Sequence, residues 1–420
     1  MHAFEHCSHK KGRSGGSKCP PALCAASLDA LILAASGPEF AATLDVALAL
    51  CRHMIVGGRG WFLLAGNALY ASLRIEIGLA DGTFCHSRGL LGPPHGKILY
   101  AATLSTTTVH SNLFAVYFPL MQHLIETQQF DREALNRLFA LATSLEGKRD
   151  ESLKGRIMAS LFYEPSTRTR LSFESAMLRL GGGVITMESS ESSSQSKGET
   201  LEDSIKVISQ YADIIVMRHG EVGAAAQAAA VSQIPIVNAG DGNMGQHPTQ
   251  ALLDLYTIQR ELGREDNYHV AVVGNLKYYR SPRSLAYLLS KYKGIRVTFI
   301  SSPELRMQDD VKEHLKEHGI AFIETEDLAG GIREADVVYQ TRIAKEWINN
   351  DTEYEKQRGR YIITRAVADA MKKDAIIIHP LPRIGEIEAE VDSSPHAVYF
   401  KQVGYGLNVR MALLKTLLSD

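Results

Sequence analysis

From about Phe118 onward, short apolar runs alternate with longer stretches whose apolar positions recur at helical spacing. The runs Ile157–Phe162, Val184–Met187, Ile214–Met217, Ile236–Asn238, Val270–Val273, Val297–Ile300, Val337–Tyr339 and Ile376–Ile378 predict strands. The periodic stretches Arg168–Leu180, Leu201–Tyr211, Gly223–Val231, Pro248–Leu262, Pro282–Tyr292, Asp309–His318 and Met411–Leu418 predict helices. Another helix is expected over Asp131–Leu145, where Leu135, Leu138, Phe139 and Ala142 share one face and Asp131 is placed as N-cap. Strand and helix in regular alternation imply parallel sheets covered on both faces. The fold class is therefore α/β: two doubly wound parallel-sheet domains of about four strands each, linked by the helix Pro248–Leu262. Expected boundaries are 1–114 for a divergent N-terminal extension, 115–250 for the first domain and 251–404 for the second.

The extension has another texture. Lys10–Lys18 is basic and rich in Gly and Ser, acidic residues are sparse before Glu39, and the Ala/Leu-rich patches that follow lack clean periodicity. Such a start is compatible with a transit peptide or with an unstructured leader. Arg59 and several glycines interrupt the most apolar stretch, Met54–Leu73, so a membrane span is not expected. All five cysteines, Cys7, Cys19, Cys24, Cys51 and Cys85, lie in this region, which excludes a disulfide framework for the main body and fits a reducing compartment. His2, His6, Cys7, His9, Cys19 and Cys24 lack the paired C-x-x-C hooks of a zinc site. Lys plus Arg is 45 against 47 for Asp plus Glu, a net charge of −2, which argues against bulk polyanion binding and leaves room for a focused cationic pocket.

In open α/β sheets ligands sit beyond the carboxyl ends of the strands, so the polar residues after each strand are the candidates. Ser166-Thr167-Arg168-Thr169-Arg170 follows the first strand and opens a helix. Free backbone N–H groups, the positive end of the helix dipole, hydroxyls and a guanidinium converge there on an anion, preferably phosphate; the plainer reading is an N-cap with exposed arginines. Lys197 stands in a mobile serine-rich loop with Gly198, and Arg218 ends the third strand. His247 precedes Pro248 at a helix start, where a neutral imidazole can donate to a carbonyl oxygen and Gln250 can bond a small amide. Gly274-Asn275-Leu276 lacks the G-x-G-x-x-G spacing, which argues against a dinucleotide. Arg342 and Arg383 on two later strand tips suit a small dicarboxylate. Pro380 and Pro382 stiffen a loop able to present carbonyls, with a cis bond expected at one of them.

Taken together, Ser166–Arg170, Ser-Lys-Gly-Glu at 196–199, Met-Arg-His at 217–219, Gly-Asp-Gly followed by Gln-His-Pro-Thr-Gln ending at Gln250, Thr-Arg at 341–342 and His-Pro-Leu-Pro-Arg at 379–383 resemble the aspartate carbamoyltransferase family. The motifs stand in the family's order from about Phe118 to the C-terminus. The resemblance implies transfer of a carbamoyl group from carbamoyl phosphate to L-aspartate, a step towards pyrimidines. It implies that Ser166, Thr167, Arg168, Thr169, Arg218, His247, Gln250, Leu381 and Pro382 bind carbamoyl phosphate. Of these, Arg168, Thr169, Arg218 and His247 would be catalytic. Arg280 and Arg342 would bind aspartate, and Lys197 with Ser193 would close over the substrates from an adjacent subunit of a homotrimer. The resemblance further implies a first domain for carbamoyl phosphate, a second for aspartate, a C-terminal helix (405–420) packed back on the first, and no metal, cofactor, nucleic acid or membrane. A cytoplasmic location is expected, or a plastid one if residues 1–114 hold a transit peptide.

The sequence departs from the family pattern mainly on the aspartate side. Ala344 stands where the family has Gln, Tyr279 where it has Gly, Arg283 where it has His and Gly385 where it has Asp, while Asn243-Met244 lengthens the Gly-Asp-Gly loop by one residue. The alternatives are an ornithine-type carbamoyltransferase, which usually has His-Cys-Leu-Pro at 379–382, and a silent homologue that binds phosphate ligands.

Overall fold

The computed structural model describes residues 122–418, apart from 189–197, 344, 346, 347, 349 and 350. The expectations for residues 1–114, for Ser193 and Lys197, and for Ala344 lie outside the described residues.

Two parallel sheets carry the fold, as the apolar runs predict. The first has the order β2-β1-β3-β4, with β1 Ile157–Phe162, β2 Gly183–Met187, β3 Ile214–His219 and β4 Ile236–Asp241. The second has the order β7-β6-β5-β8-β9, with β5 His269–Val273, β6 Arg296–Ile300, β7 Ala321–Thr325, β8 Val337–Gln340 and β9 Ile376–Ile378. Every pairing is parallel. Both faces of each sheet are covered: Met158 and Phe162 pack into one core while Ala159 and Leu161 pack into another. Val270 and Val272 divide likewise from Ala271 and Val273. That is why these strands read as continuous apolar runs.

The helix Pro248–Leu262 joins the sheets and is buried without interruption from Pro248 to Ile258. Its side chains share one core with residues of both sheets. Pro248 at its first turn and Gly263 in left-handed backbone (φ 64°) after it set its ends. Asp131 caps the helix Arg132–Ser144 as expected, accepting from Ala134 N at 2.7 Å. The helix Tyr399–Leu418 packs against Arg132–Ser144, Thr167–Arg179 and Pro248–Leu262.

Several elements differ from their prediction. The last helix begins twelve residues earlier than Met411, because Gly404 and Gly406 are carried within it. At Gly406 a side chain would crowd Leu253 and Arg410, so close packing demands the glycine. The helix expected over Pro282–Tyr292 runs Arg280–Leu289, with Pro282 inside the first turn, where the missing N–H costs nothing. The strand β7 was not predicted: it lies at a sheet edge, half exposed, and Glu324 and Thr325 interrupt its apolar pattern. Short helices at Leu328–Arg333, Asp351–Arg358 and Arg365–Asp369 were also not predicted.

The chain order reverses between β1 and β3 in the first sheet and between β5 and β8 in the second. These are the two switch points at which a doubly wound sheet opens a crevice for a ligand.

Candidate active site

Both switch points open into one cleft of about 510 Å³. The turn after β1 supplies Glu164 and Ser166–Thr169, and the end of β3 supplies Arg218. The start of the linking helix supplies His247 and Gln250; the loops after β5, β8 and β9 supply Arg280, Arg342 and His379–Pro382. Of the described residues that the sequence singled out for the two substrates, all but Arg383 thus line a single space.

Ser166 is the N-cap of the helix Thr167–Arg179, in extended backbone and without a side-chain cap bond. The first turn therefore presents its N–H groups and hydroxyls at the cleft, with the positive end of the helix dipole behind them. Thr169 is buried while Arg168 is exposed. Five arginines line the cleft, Arg168, Arg218, Arg280, Arg342 and Arg410, against one carboxylate, Glu164. Their crowding is visible in their acidities. Burial, then Arg280, lowers Arg218 to about 10 despite Glu164. Partial desolvation by the cleft walls, then the neighbouring Arg342, lower Arg168. Burial also lowers Arg410 to about 10. An excess of guanidinium in a partly desolvated crevice is a site built for an anion of more than one charge.

Glu164 partly balances this charge. Its Oε2 lies 2.7 Å from an Arg280 nitrogen and 3.0 Å from Arg218 Nε, so the carboxylate bridges the first switch point to the second. Arg280 also donates to the carbonyl of Gly242 at 3.0 Å. At Gly240, with φ 113°, a Cβ would lie 3.1 Å from the Arg280 guanidinium and 3.2 Å from the His247 ring, so a side chain there would crowd both. Arg280 therefore reaches the cleft as expected, with its guanidinium already paired.

His247 is buried at the cap of the linking helix, its backbone N–H bonded to Ser284 Oγ at 2.9 Å and its Nδ1 3.4 Å from Thr249 Oγ1. Burial, then Arg218, Arg280 and Arg410, hold its pKa well below the ordinary imidazole range. It is neutral at physiological pH, and a neutral ring can donate one N–H without adding charge. Beyond β9, His379 bonds Glu386 at 2.7 Å through Nε2 and accepts from Leu381 N at 2.7 Å through Nδ1. This bracket holds Leu381 in left-handed backbone (φ 52°), and the cis bond expected in the loop is the one between Leu381 and Pro382.

Arg383 corrects the reading from strand tips alone. It is absent from the cleft lining and pairs with Asp392 and Tyr399. Arg283 likewise turns away, to Asp310. Gly385 takes φ 130°, a conformation that an aspartate there would adopt only with strain. Glu164 and Arg410 were not singled out. Glu164 stands two residues before Ser166, and a carboxylate before an arginine-rich turn is a usable signal. Arg410 lies among Val409, Met411, Ala412 and Leu413 on a buried helix; a charge in that setting is the signal. Among the described residues, His314, Glu317 and His318 form the one group of metal-ligand type, and none of them lines the cleft.

A cationic crevice between two doubly wound domains, with a phosphate-type helix start on one side and guanidinium groups on both, defines a group transferase acting on a phosphorylated donor. The family model for the aspartate/ornithine carbamoyltransferase carbamoyl-P binding domain matches residues 122–260, and the model for the Asp/Orn binding domain matches 266–417. The chain belongs to the aspartate/ornithine carbamoyltransferase family. It is 53% identical over 305 residues to aspartate carbamoyltransferase 3, chloroplastic, of Pisum sativum, covering 71% of this chain and 78% of the pea protein. The catalytic subunit of Methanocaldococcus jannaschii aspartate transcarbamoylase superposes with a TM-score of 0.67 at 50% identity, covering 71% of this chain and 99% of that one. Trypanosoma cruzi aspartate transcarbamoylase in complex with carbamoyl phosphate and aspartate gives a TM-score of 0.66 at 37% identity, over 71% of this chain and 96% of that one.

Proposed function

We propose that this protein transfers the carbamoyl group of carbamoyl phosphate to the amino group of L-aspartate, giving N-carbamoyl-L-aspartate and phosphate for pyrimidine synthesis. One observation carries the reading. The helix start at Ser166–Thr169 and the arginines of both domains share a single cleft with a neutral, buried His247.

Ser166, Thr167, Arg168 and Thr169 hold the phosphate, and Arg218 adds a second guanidinium. Thr169, Arg218 and His247 donate to the carbamoyl oxygen, where negative charge builds as the tetrahedral intermediate forms. Gln250 and the carbonyls of Leu381 and Pro382 accept from the carbamoyl NH2. Arg280 and Arg342 take the aspartate carboxylates, which requires Arg280 to exchange its pairing with Glu164. The aspartate nitrogen then attacks the carbamoyl carbon: a C–N bond forms, the C–O bond to phosphate breaks, and the departing phosphate takes the amine proton. Catalysis is positioning plus fixed electrostatics, without a covalent enzyme intermediate.

The same reading assigns 115–250 to carbamoyl phosphate and 251–404 to aspartate. It makes the protein a homotrimer in which Ser193 and Lys197 of one subunit complete the site of the next. Sedimentation showing an active monomer would remove that part. The plastid alternative for location is supported by the pea relative's chloroplastic name, and sequencing the mature N-terminus tests it. Among the described residues no helix is long and apolar enough to cross a membrane.

The test is phosphate release from carbamoyl phosphate with aspartate or ornithine as acceptor. Aspartate-dependent release is expected. Release with ornithine alone would transfer the reading to the ornithine type, and no release with either would make the chain a silent homologue. Arg280 and Arg342 in the cleft favour the acidic acceptor.

A further inference from the structure

Behind Gln250, one turn further along the same helix, lies Asp254, fully buried and outside the cleft lining. Three donors converge on its carboxylate: Gln250 Nε2 at 2.8 Å and Gln402 Nε2 at 2.5 Å on Oδ1, and the Tyr339 hydroxyl at 2.8 Å on Oδ2. These come from the linking helix, the C-terminal helix and β8. Gln402 turns its own oxygen to the backbone N–H of His379 at 3.0 Å, where the Leu381–Pro382 loop begins. One buried carboxylate thus ties together the side chain and the loop that face the same end of the cleft.

We propose that Asp254 is a positioning residue that fixes the Gln250 amide with its NH2 turned inward and its oxygen turned to the cleft, so that the site selects a donor carrying NH2 beside its carbonyl. This rests on the carbamoyl phosphate reading above. The chemistry is directional. An ionised carboxylate only accepts, so each amide that meets it must present NH2 and aim its oxygen elsewhere. For Gln402 that oxygen is spent on His379 N–H; for Gln250 it is left for the cleft, where an acceptor discriminates an amine from a methyl group. An apolar or amide residue at 254 would leave the Gln250 amide free to turn over and present NH2 to NH2.

The charge state supports the assignment. Burial raises the Asp254 pKa to about 7, opposed by bonds from Tyr339, Gln250 and Gln402 and by the charge of Arg410. These are the groups facing it from β8, its own helix and the C-terminal helix. Protonation would convert an acceptor into a donor and release the amide, so selectivity should weaken as pH falls below about 7.

The experiment compares carbamoyl phosphate, acetyl phosphate (CH3 in place of NH2) and inorganic phosphate on the full-length wild type and the Asp254→Asn variant. Turnover and competitive inhibition are measured from pH 6 to 9. In Asp254→Asn the KM for carbamoyl phosphate is expected to rise about tenfold or more, the scale of one unpaired polar group, while the inhibition constants for acetyl phosphate and phosphate stay within about twofold. Equal weakening of all three ligands, or an unchanged preference for the carbamoyl compound, would overturn the proposal. Should Asp254→Asn fail to fold, Tyr339→Phe serves: losing one donor raises the Asp254 pKa, so the acid limb of carbamoyl phosphate selectivity should move to higher pH, and an unmoved limb refutes the idea. A wild type that releases no phosphate from carbamoyl phosphate and aspartate would instead sink the functional reading.

Discussion

Replacing Glu164 with Gln removes the one negative charge among the cleft's lining residues while keeping the side chain's shape. Glu164 contacts Arg280, whose side chain is 7% exposed, and Arg218, at 17%, and is itself 31% exposed. The pairings therefore lie between an exposed ion pair, which contributes about 0–1 kcal/mol, and a buried one, whose breakage costs about 3–5 kcal/mol. Loss of roughly 2 kcal/mol is expected for the unliganded protein, since two guanidinium groups are left in a desolvated crevice without their counter-charge. For a unit of this size that lowers the melting temperature by about 4 °C. Ligand should reverse the effect. In the wild type, phosphate competes with Glu164 for Arg218; in Glu164→Gln it does not, so phosphate should bind more tightly and restore more of the lost stability. Scanning calorimetry across a phosphate titration reads both quantities. The reasoning is refuted if the variant melts with the wild type without phosphate, or if phosphate raises the two melting temperatures equally.

Further outcomes follow from the same geometry. Arg168→Ala should lower kcat/KM by about 10²–10³-fold or more in the phosphate-release assay, because a charged donor to the departing group is lost. Arg342→Ala should raise the KM for aspartate at least tenfold and leave that for carbamoyl phosphate within about twofold, a split that steady-state kinetics resolves. His247 has a folded pKa depressed by burial and by Arg218, so its contribution to stability is present above the ordinary imidazole pKa and is lost as pH falls below it. His247→Gln should flatten that acid limb in melts taken between pH 7 and 5. Asp254 has the opposite sign: its raised pKa makes its contribution fade as pH climbs from the ordinary carboxylate range towards 7, and Asp254→Asn should remove that slope. Deleting residues 1–100 should leave turnover largely intact; a folded truncation without activity would assign those residues a role.

Much of the fold was legible because its strands are covered on both faces. Ile157–Phe162 and Ile376–Ile378 are strands with the predicted bounds, since a short strand covered on both faces is apolar along nearly its whole length. The reading failed where burial was partial or where close packing overrode local preference. The edge strand β7 keeps only half its surface inside, so its composition looks like loop. The last helix runs through Gly404 and Gly406, and at Gly406 the approach of Leu253 and Arg410 leaves little room for a side chain, a fact invisible to local propensity.

The same division holds at the site. Sequence alone determined which segments end in polar, anion-seeking turns: Ser166–Arg170, Arg218, His247–Gln250, Arg342 and His379–Pro382 each follow an apolar run or open a helix, and that order is local information. Only the tertiary structure decided which of these turns share a space and which cations stay in it. It sent Arg383 to Asp392, brought Arg410 in from the last helix, and set Glu164 between Arg218 and Arg280. The physical reason is that charge pairing acts through space while the sequence records only neighbours along the chain. Residues as far apart along the chain as Arg168 and Arg342 repel one another only after two sheets have set their switch points face to face.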